Sequence, residues 1–270
     1  MFDIVSWLFP KLPFPDCYTL ETSSTSIRNI RCVLQYRGCA YHGWQIQPKG
    51  HTVQGIVENC LSRILQESIR IKAASRTDAG VHALMQVINF RTTSKLSTGK
   101  LLKGLNSLLP KDISAIYMDE VTNEFDAQFF AKKKTYIYLI LNTQQRSPFL
   151  VRYTWQIFST LDIESMQKGS KSLIGKHDFS SFMGAGSDVK NKVREVFRLE
   201  VKKISPLIVI EIEADGFLKH MVRNIVGLLV EVGLGKRKWD EVRKILDARN
   251  RCMAGINAPA NGLFLKEIKY

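Results

Sequence analysis

The chain has 270 residues, 45% of them apolar and 24% charged, which suits one large or two ordinary globular domains with ample core. Its 39 Lys and Arg against 25 Asp and Glu leave a formal charge of +14 and a pI near 9.6, a footprint most often of nucleic acid, with generic solubility or an anionic membrane surface as the alternatives. Basic residues are spread along the chain rather than gathered in a tail, and the five Cys include no C-x-x-C pair, so neither a disulfide framework nor a zinc site is suggested and reduced thiols in a cytosolic protein are the plain reading.

Residues 1–27 stand apart. They hold Lys11 against Asp3, Asp16 and Glu21, three prolines by Pro15, then a Ser/Thr-rich run. Without a basic start they make a poor secretory signal, and without Arg a poor transit peptide, so a mobile extension or a mis-assigned start, outside the fold, is expected. Residues 30–36 read as a strand ended by Arg37-Gly38, and 43–50 as a loop. Thr52 is a natural N-cap for a helix on which Val53, Ile56, Val57, Cys60, Leu61, Ile64 and Leu65 share one face. Strands at 70–75 and 85–91 follow, then a helix at 99–109 stopped by Pro110 and a strand at 113–120. The order is β-α-β-β-α-β, a ferredoxin-like arrangement.

The same plan is expected to recur. A strand at 134–141 precedes a helix at 162–173, and strands at 193–203 and 207–214 are joined through Ser205-Pro206. A helix at 217–232, a shorter one at 239–248 and a strand at 262–268 complete the set. Lys219, His220, Arg223 and Glu231 exclude a membrane span for the longest apolar helix. The expected fold class is therefore α+β: two ferredoxin-like halves, residues 28–128 and 129–270, related by a pseudo-two-fold about a central cleft, where sites commonly form.

Several stretches invite a chemical reading. Gly233-Leu234-Gly235-Lys236-Arg237 lacks the first Gly and the Ser/Thr of a P-loop, and Gly184-Ala185-Gly186 lacks the third Gly of a dinucleotide fingerprint. The five His show no metal-ligand spacing, and no Gly-x-Ser-x-Gly elbow is present. Carboxylate chemistry remains. Between the strands at 70–75 and 85–91 lies Ser75-Arg76-Thr77-Asp78-Ala79-Gly80-Val81-His82-Ala83, which by itself is either a plain Asp-Gly turn or a turn presenting reactive side chains. Lys219, His220, Arg223 and Asn224, at helical spacing, form either a solvent face or a basic stripe in which Arg223 grips a carboxylate or phosphate. Lys132-Lys133-Lys134 before Tyr136 and Tyr138 fits phosphate contacts beside base stacking, or a charged strand start with core tyrosines.

Taken together these segments resemble the TruA family of tRNA pseudouridine synthases. The Ser75–Ala83 segment is similar to its signature, and Tyr41-His42-Gly43-Trp44-Gln45-Ile46-Gln47-Pro48 with Thr52-Val53-Gln54-Gly55 to its first block. Lys134-Thr135-Tyr136-Ile137-Tyr138 resembles the central Tyr block. His177-Asp178-Phe179-Ser180-Ser181-Phe182, the run from Gly216 to Gly227, and Ala258-Pro259-Ala260-Asn261-Gly262-Leu263-Phe264-Leu265 resemble three more, in the family's order over residues 30–270. The sequence departs from the pattern at Tyr36-Arg37-Gly38-Cys39, at Gln128 and at Lys219.

The resemblance implies a pseudouridine synthase fold of two ferredoxin-like halves, a homodimer with a basic cleft, and a cytoplasmic enzyme needing neither metal nor organic cofactor. The implied substrate is uridine at positions 38, 39 and 40 of the tRNA anticodon stem-loop. Asp78 corresponds to the catalytic aspartate, Tyr136 to the tyrosine against the target base, Arg76 and Arg223 to active-site arginines, and Leu263 to a pocket-lining leucine. The reaction breaks the N1–C1′ bond, turns the uracil and rejoins it through C5, so one nucleophile suffices, attacking either C6 of the base or C1′ of the ribose. A carboxylate must be ionised to do this, which a nearby guanidinium favours. Tyr136 is the candidate base for the C5 proton, although a free phenol titrates near 10. A catalytically silent RNA-binding or RNA-folding protein is the first rival reading, and the presence of Asp78, Tyr136 and Arg223 together argues against it; a pseudouridine synthase aimed at another RNA is the second.

Overall fold

The computed structural model describes residues 27–187 and 189–270. The expected extension over 1–27 lies, apart from Ile27, outside the described residues. The chain is α+β with mixed strand pairing, and its contacts divide it into two compact units.

The first unit runs to Lys132 and also takes in Leu265–Tyr270. Its elements are β1 (Arg28–Tyr36), α1 (Val53–Leu65), β2 (Lys72–Ala73), β3 (His82–Thr92), α2 (Thr98–Leu108) and β4 (Ile113–Val121). β1 pairs antiparallel with both β3 and β4, and β10 (Leu263–Lys269) lies next to β3. α1 forms where its apolar spacing places it: Thr52 Oγ1 accepts from Gly55 N–H at 3.3 Å, and Val53, Val57, Cys60, Leu61 and Leu65 are buried.

The strand expected at 70–75 shrinks to two residues. Just before it, side chains of α1 take the backbone donors, Ile69 N–H bonding Ser62 Oγ at 3.1 Å and Ile71 N–H bonding Glu58 Oε1 at 3.1 Å, and beyond it Ala74 N–H still reaches Val87 O at 2.9 Å. β3 is buried on both faces over nearly its whole length, so its polar residues Gln86 and Asn89 need internal partners. On β1 a register slip between Leu34 and Tyr36 bends the strand end and turns Tyr36 towards the segment after β2.

The second unit, Lys133–Phe264, contains β5 (Lys133–Asn142), β6 (Trp155–Ile157), α3 (Ile163–Lys171), β7 (Gly175–Asp178), β8 (Val193–Ile204), β9 (Leu207–Ala214), α4 (Met221–Gly233) and α5 (Glu241–Asp247). β5, β9, β8 and β7 pair antiparallel in that order, while β6 is parallel to β5. β6 and β7 are three and four residues long, too short to show a period in the sequence. All of α4 except Arg223 and Glu231 is buried.

Two expectations at α4 are corrected. The helix begins at Met221 rather than 217, because His220 adopts a left-handed conformation (φ 60°) and the Lys219 carbonyl accepts from Gly184 N–H at 2.8 Å instead of from a helical turn. The four-residue polar face therefore breaks up. Lys219 and His220 precede the helix, and Asn224 is fully buried, donating to Phe182 O at 2.7 Å and accepting from Arg251 Nη2 at 2.9 Å. Arg223 alone keeps its place at a half-buried position on the first turn.

Candidate active site

In the first unit the 75–82 turn is held by side chains on three sides. Gln86, with no exposed surface, copies a strand partner: its Oε1 accepts from Ser75 N–H at 3.2 Å and its Nε2 donates to Ser75 O at 2.6 Å. Thr77 Oγ1 and the Tyr36 hydroxyl bond at 2.7 Å inside the unit, and Trp44 N–H donates to Thr77 O at 3.0 Å. Asp78 O accepts from Val81 N–H at 3.1 Å around Gly80, whose φ of 83° a side chain would resist. His82 is buried, with Nδ1 accepting from Gly38 N–H at 3.1 Å, a structural role.

Gly43 closes the clamp. Its φ is 89°, and a Cβ there would stand 2.9 Å from Thr77 O and 3.1 Å from Ala79 N. The loop that carries it is tied to α1 through Val53 N–H to Gly43 O (3.2 Å) and Gln54 N–H to Trp44 O (3.1 Å), and the Trp44 ring packs 5.9 Å from Tyr36. Against this fixed backbone Asp78 is half-buried and Arg76 exposed. A half-buried carboxylate on a rigid turn suits nucleophilic work, since little order has to be imposed when substrate arrives.

In the second unit Tyr136 and Tyr138 share one face of β5. Tyr136 is 5% exposed and meets Phe217 edge-on, ring centroids 5.1 Å apart. Tyr138 is fully buried and donates to Pro259 O at 2.8 Å. Burial raises its pKa above the usual phenol range, with the Arg223 guanidinium opposing. Gly262 lies on that ring so closely that a Cβ would come within 2.7 Å of Tyr138 Cζ, and buried Leu263 follows it. Arg223 Nε donates to Ala258 O at 2.7 Å and its carbonyl accepts from Ala258 N–H at 3.1 Å. Gly227, one turn on, makes room for this segment, as a Cβ would sit 1.9 Å from Ile256 O.

The site residues expected from the sequence thus fall into two groups. Arg76 and Asp78 belong to one turn of the first unit. Tyr136, Arg223 and Leu263 belong to the second, where Tyr138 and the 256–263 segment link the latter two. Lys134 shares the face of Tyr136. Burial, aided by the Arg194 guanidinium and opposed by Asp215, pulls its pKa down to about 8. Among the described residues, no group of three His, Cys, Asp or Glu is placed to hold a metal, and no helix is long and apolar enough to cross a membrane.

The profile of a family described as tRNA pseudouridine synthase matches residues 33–129 and 170–270. The chain belongs to that family. It is similar to the tRNA pseudouridine synthase A of Thermoanaerobacter sp. (strain X514), 46% identical over 244 residues that cover 90% of this chain and 100% of the relative. It is also similar to that of Acetivibrio thermocellus, 42% identical with the same coverage, and to that of Coxiella burnetii (strain Dugway 5J108-111), 42% identical over 88% of this chain and 91% of the relative. Such synthases are isomerases that convert uridine to pseudouridine in tRNA.

Within this tRNA pseudouridine synthase the blocks that carried the resemblance have separable physical tasks. The 41–55 block clamps the Asp78 turn and starts α1. The 177–182 block is structural, burying Phe179 and Phe182 and donating Ser181 Oγ to Ile245 O at 2.6 Å. Gln86, Tyr36 and Phe217 escaped the sequence reading as positioning residues. Gln86 did leave a signal, a polar residue inside an apolar strand.

Proposed function

We propose that this synthase isomerises uridines at positions 38, 39 and 40 of the tRNA anticodon stem-loop, with Asp78 as nucleophile. Arg76 and Arg223 brace the substrate, Tyr136 lies against the target base and Leu263 lines its pocket. The reading takes the chain as two ferredoxin-like halves, 28–128 and 129–270, acting as a homodimer in the cytoplasm. The β-α-β-β-α-β order of the first unit supports the first part of that description, and the resemblance alone supports the rest.

The observation that carries the reading is the clamped turn: backbone fixed by Gln86, Tyr36, Trp44 and Gly43, carboxylate half-buried at its apex. The target uridine leaves its stack at a cost of about a few kcal/mol. Attack by the Asp78 carboxylate, at C6 or at C1′, accompanies cleavage of N1–C1′. The uracil turns and C5 bonds to C1′. C5 then loses its proton to Tyr136, directly or through water, N1 gains one, and Asp78 is regenerated. Nothing is oxidised or reduced, so the step requires no electron carrier.

Asp78→Asn and Asp78→Ala are expected to abolish tritium release from tRNA carrying 5-tritiated uridine while binding tRNA nearly as wild type does. Turnover near the wild-type rate in either variant would sink the assignment. Mapping pseudouridine in total RNA from cells lacking the protein tests the target: loss confined to positions 38–40 supports the reading, and loss elsewhere redirects it to another RNA.

A further inference from the structure

Phe149, in the second unit between β5 and β6, is 86% exposed, the most of any large hydrophobic residue described. Arg146 and Arg152 flank it, and no Asp or Glu occurs between Leu141 and Asp162. The loop is nonetheless firmly built. Leu150 and Val151 N–H both donate to Ser147 O (3.2 and 3.1 Å), Tyr153 N–H donates to Leu150 O at 2.9 Å, and Thr154 Oγ1 reaches the same carbonyl at 2.9 Å. Asn261 Nδ2 then fastens the loop, donating to Val151 O and Thr154 O at 2.9 Å each. Asn261 stands between Pro259, which receives the Tyr138 hydroxyl, and Leu263. The aromatic ring is therefore held in water by a braced loop that is bonded to the backbone of the pocket segment.

We infer that Phe149 is a stacking platform for an unpaired base of the substrate RNA, with Arg146 and Arg152 meeting the adjoining phosphates. The inference rests on the tRNA substrate proposed above. Every base offers a π-face to an exposed ring, and exposed arginines three residues to either side in sequence match the backbone charge. Val151 and Phe158 are also exposed, at 55% and 49%, so a second copy of the chain is the competing occupant. An isologous contact through this patch would bring the arginines of two copies together with no acid in the segment to compensate, which favours RNA.

The test uses the full chain with Phe149→Trp, Phe149→Leu and Phe149→Ala, and an anticodon-arm RNA carrying 2-aminopurine in its loop. Trp is expected to keep wild-type affinity and fluorescence quenching. Leu and Ala are expected to lose quenching and bind about 10- to 100-fold more weakly. Sedimentation without RNA should be the same for all four proteins. A Leu variant that binds and quenches like wild type would overturn the inference, because Leu keeps the apolar contact and lacks the π-face. A fall in sedimenting mass on Phe149→Ala would overturn it in favour of a second copy. Wild-type turnover is measured on the same RNA, and its absence would strike the substrate reading, which the binding and quenching data do not use.

Discussion

The backbone around Asp78 is tied by side chains and by loop backbone rather than by a β-ladder, and Gln86 supplies both bonds to Ser75 at its start. Gln86→Leu keeps the volume and leaves the Ser75 amide and carbonyl without those partners. Stability measured by denaturant unfolding is expected to fall by about 2 kcal/mol, and kcat to fall with little change in RNA affinity. Loss of affinity with kcat intact would contradict a positioning role. Lys134 permits a different test. It titrates near 8 in the fold and near 10.4 in an unfolded chain, so between those values the unfolded state holds more protons and stability rises with pH. Lys134→Met removes the cost of burying the charge. Thermal unfolding is expected to find it more stable than wild type at neutral pH, the advantage shrinking as pH climbs through 8 and vanishing above about 10.

At the scale of elements, the loop before α1 does as much for the site as the strands do. Gly43 combines a left-handed φ of 89° with backbone of the Asp78 turn 2.9 Å from where a Cβ would be. Gly43→Ala is expected to cost about 1–3 kcal/mol and to reduce turnover well beyond the effect of that stability loss, as seen by comparing rates at a temperature where both proteins are folded. Much of this level was legible in advance. Thr52 and the apolar face of α1 depend on local spacing, and the helix appears where that spacing places it. β2 was less legible, because Glu58 and Ser62 of α1 bind the backbone just before it, at Ile71 and Ile69, and a one-dimensional pattern carries no record of them. The start of α4 was hidden for the same reason: nothing in the residue type of His220 announces a φ of 60°.

For the molecule as a whole, the charge of +14 is the feature to test. Binding to tRNA should weaken with salt along a straight line of log affinity against log concentration, with a slope of about −4 or steeper, as cations condensed on the RNA are released. A shallow slope would mean that the excess charge is generic surface rather than an RNA-binding face. The final residues, Leu265–Tyr270, cluster with the first unit although they follow the second in sequence. Tyr270 donates to Ala127 O at 2.9 Å and packs 5.1 Å from Phe125, so the chain end stabilises the unit in which it began.

The sequence by itself determined the membership of the family, the first unit's order of elements and the identity of the candidate carboxylate, because these depend on residue types at local spacings and on several blocks occurring in order. Only the tertiary structure decided what holds that carboxylate. Gln86, Tyr36, Trp44 and Gly43 lie up to 50 positions apart in the chain, and they converge on the turn through hydrogen bonds and close backbone contact that no local pattern encodes. The structure likewise separated Arg223 from the polar neighbours it had in sequence, since burial of Asn224 and the backbone turn at His220 are consequences of packing.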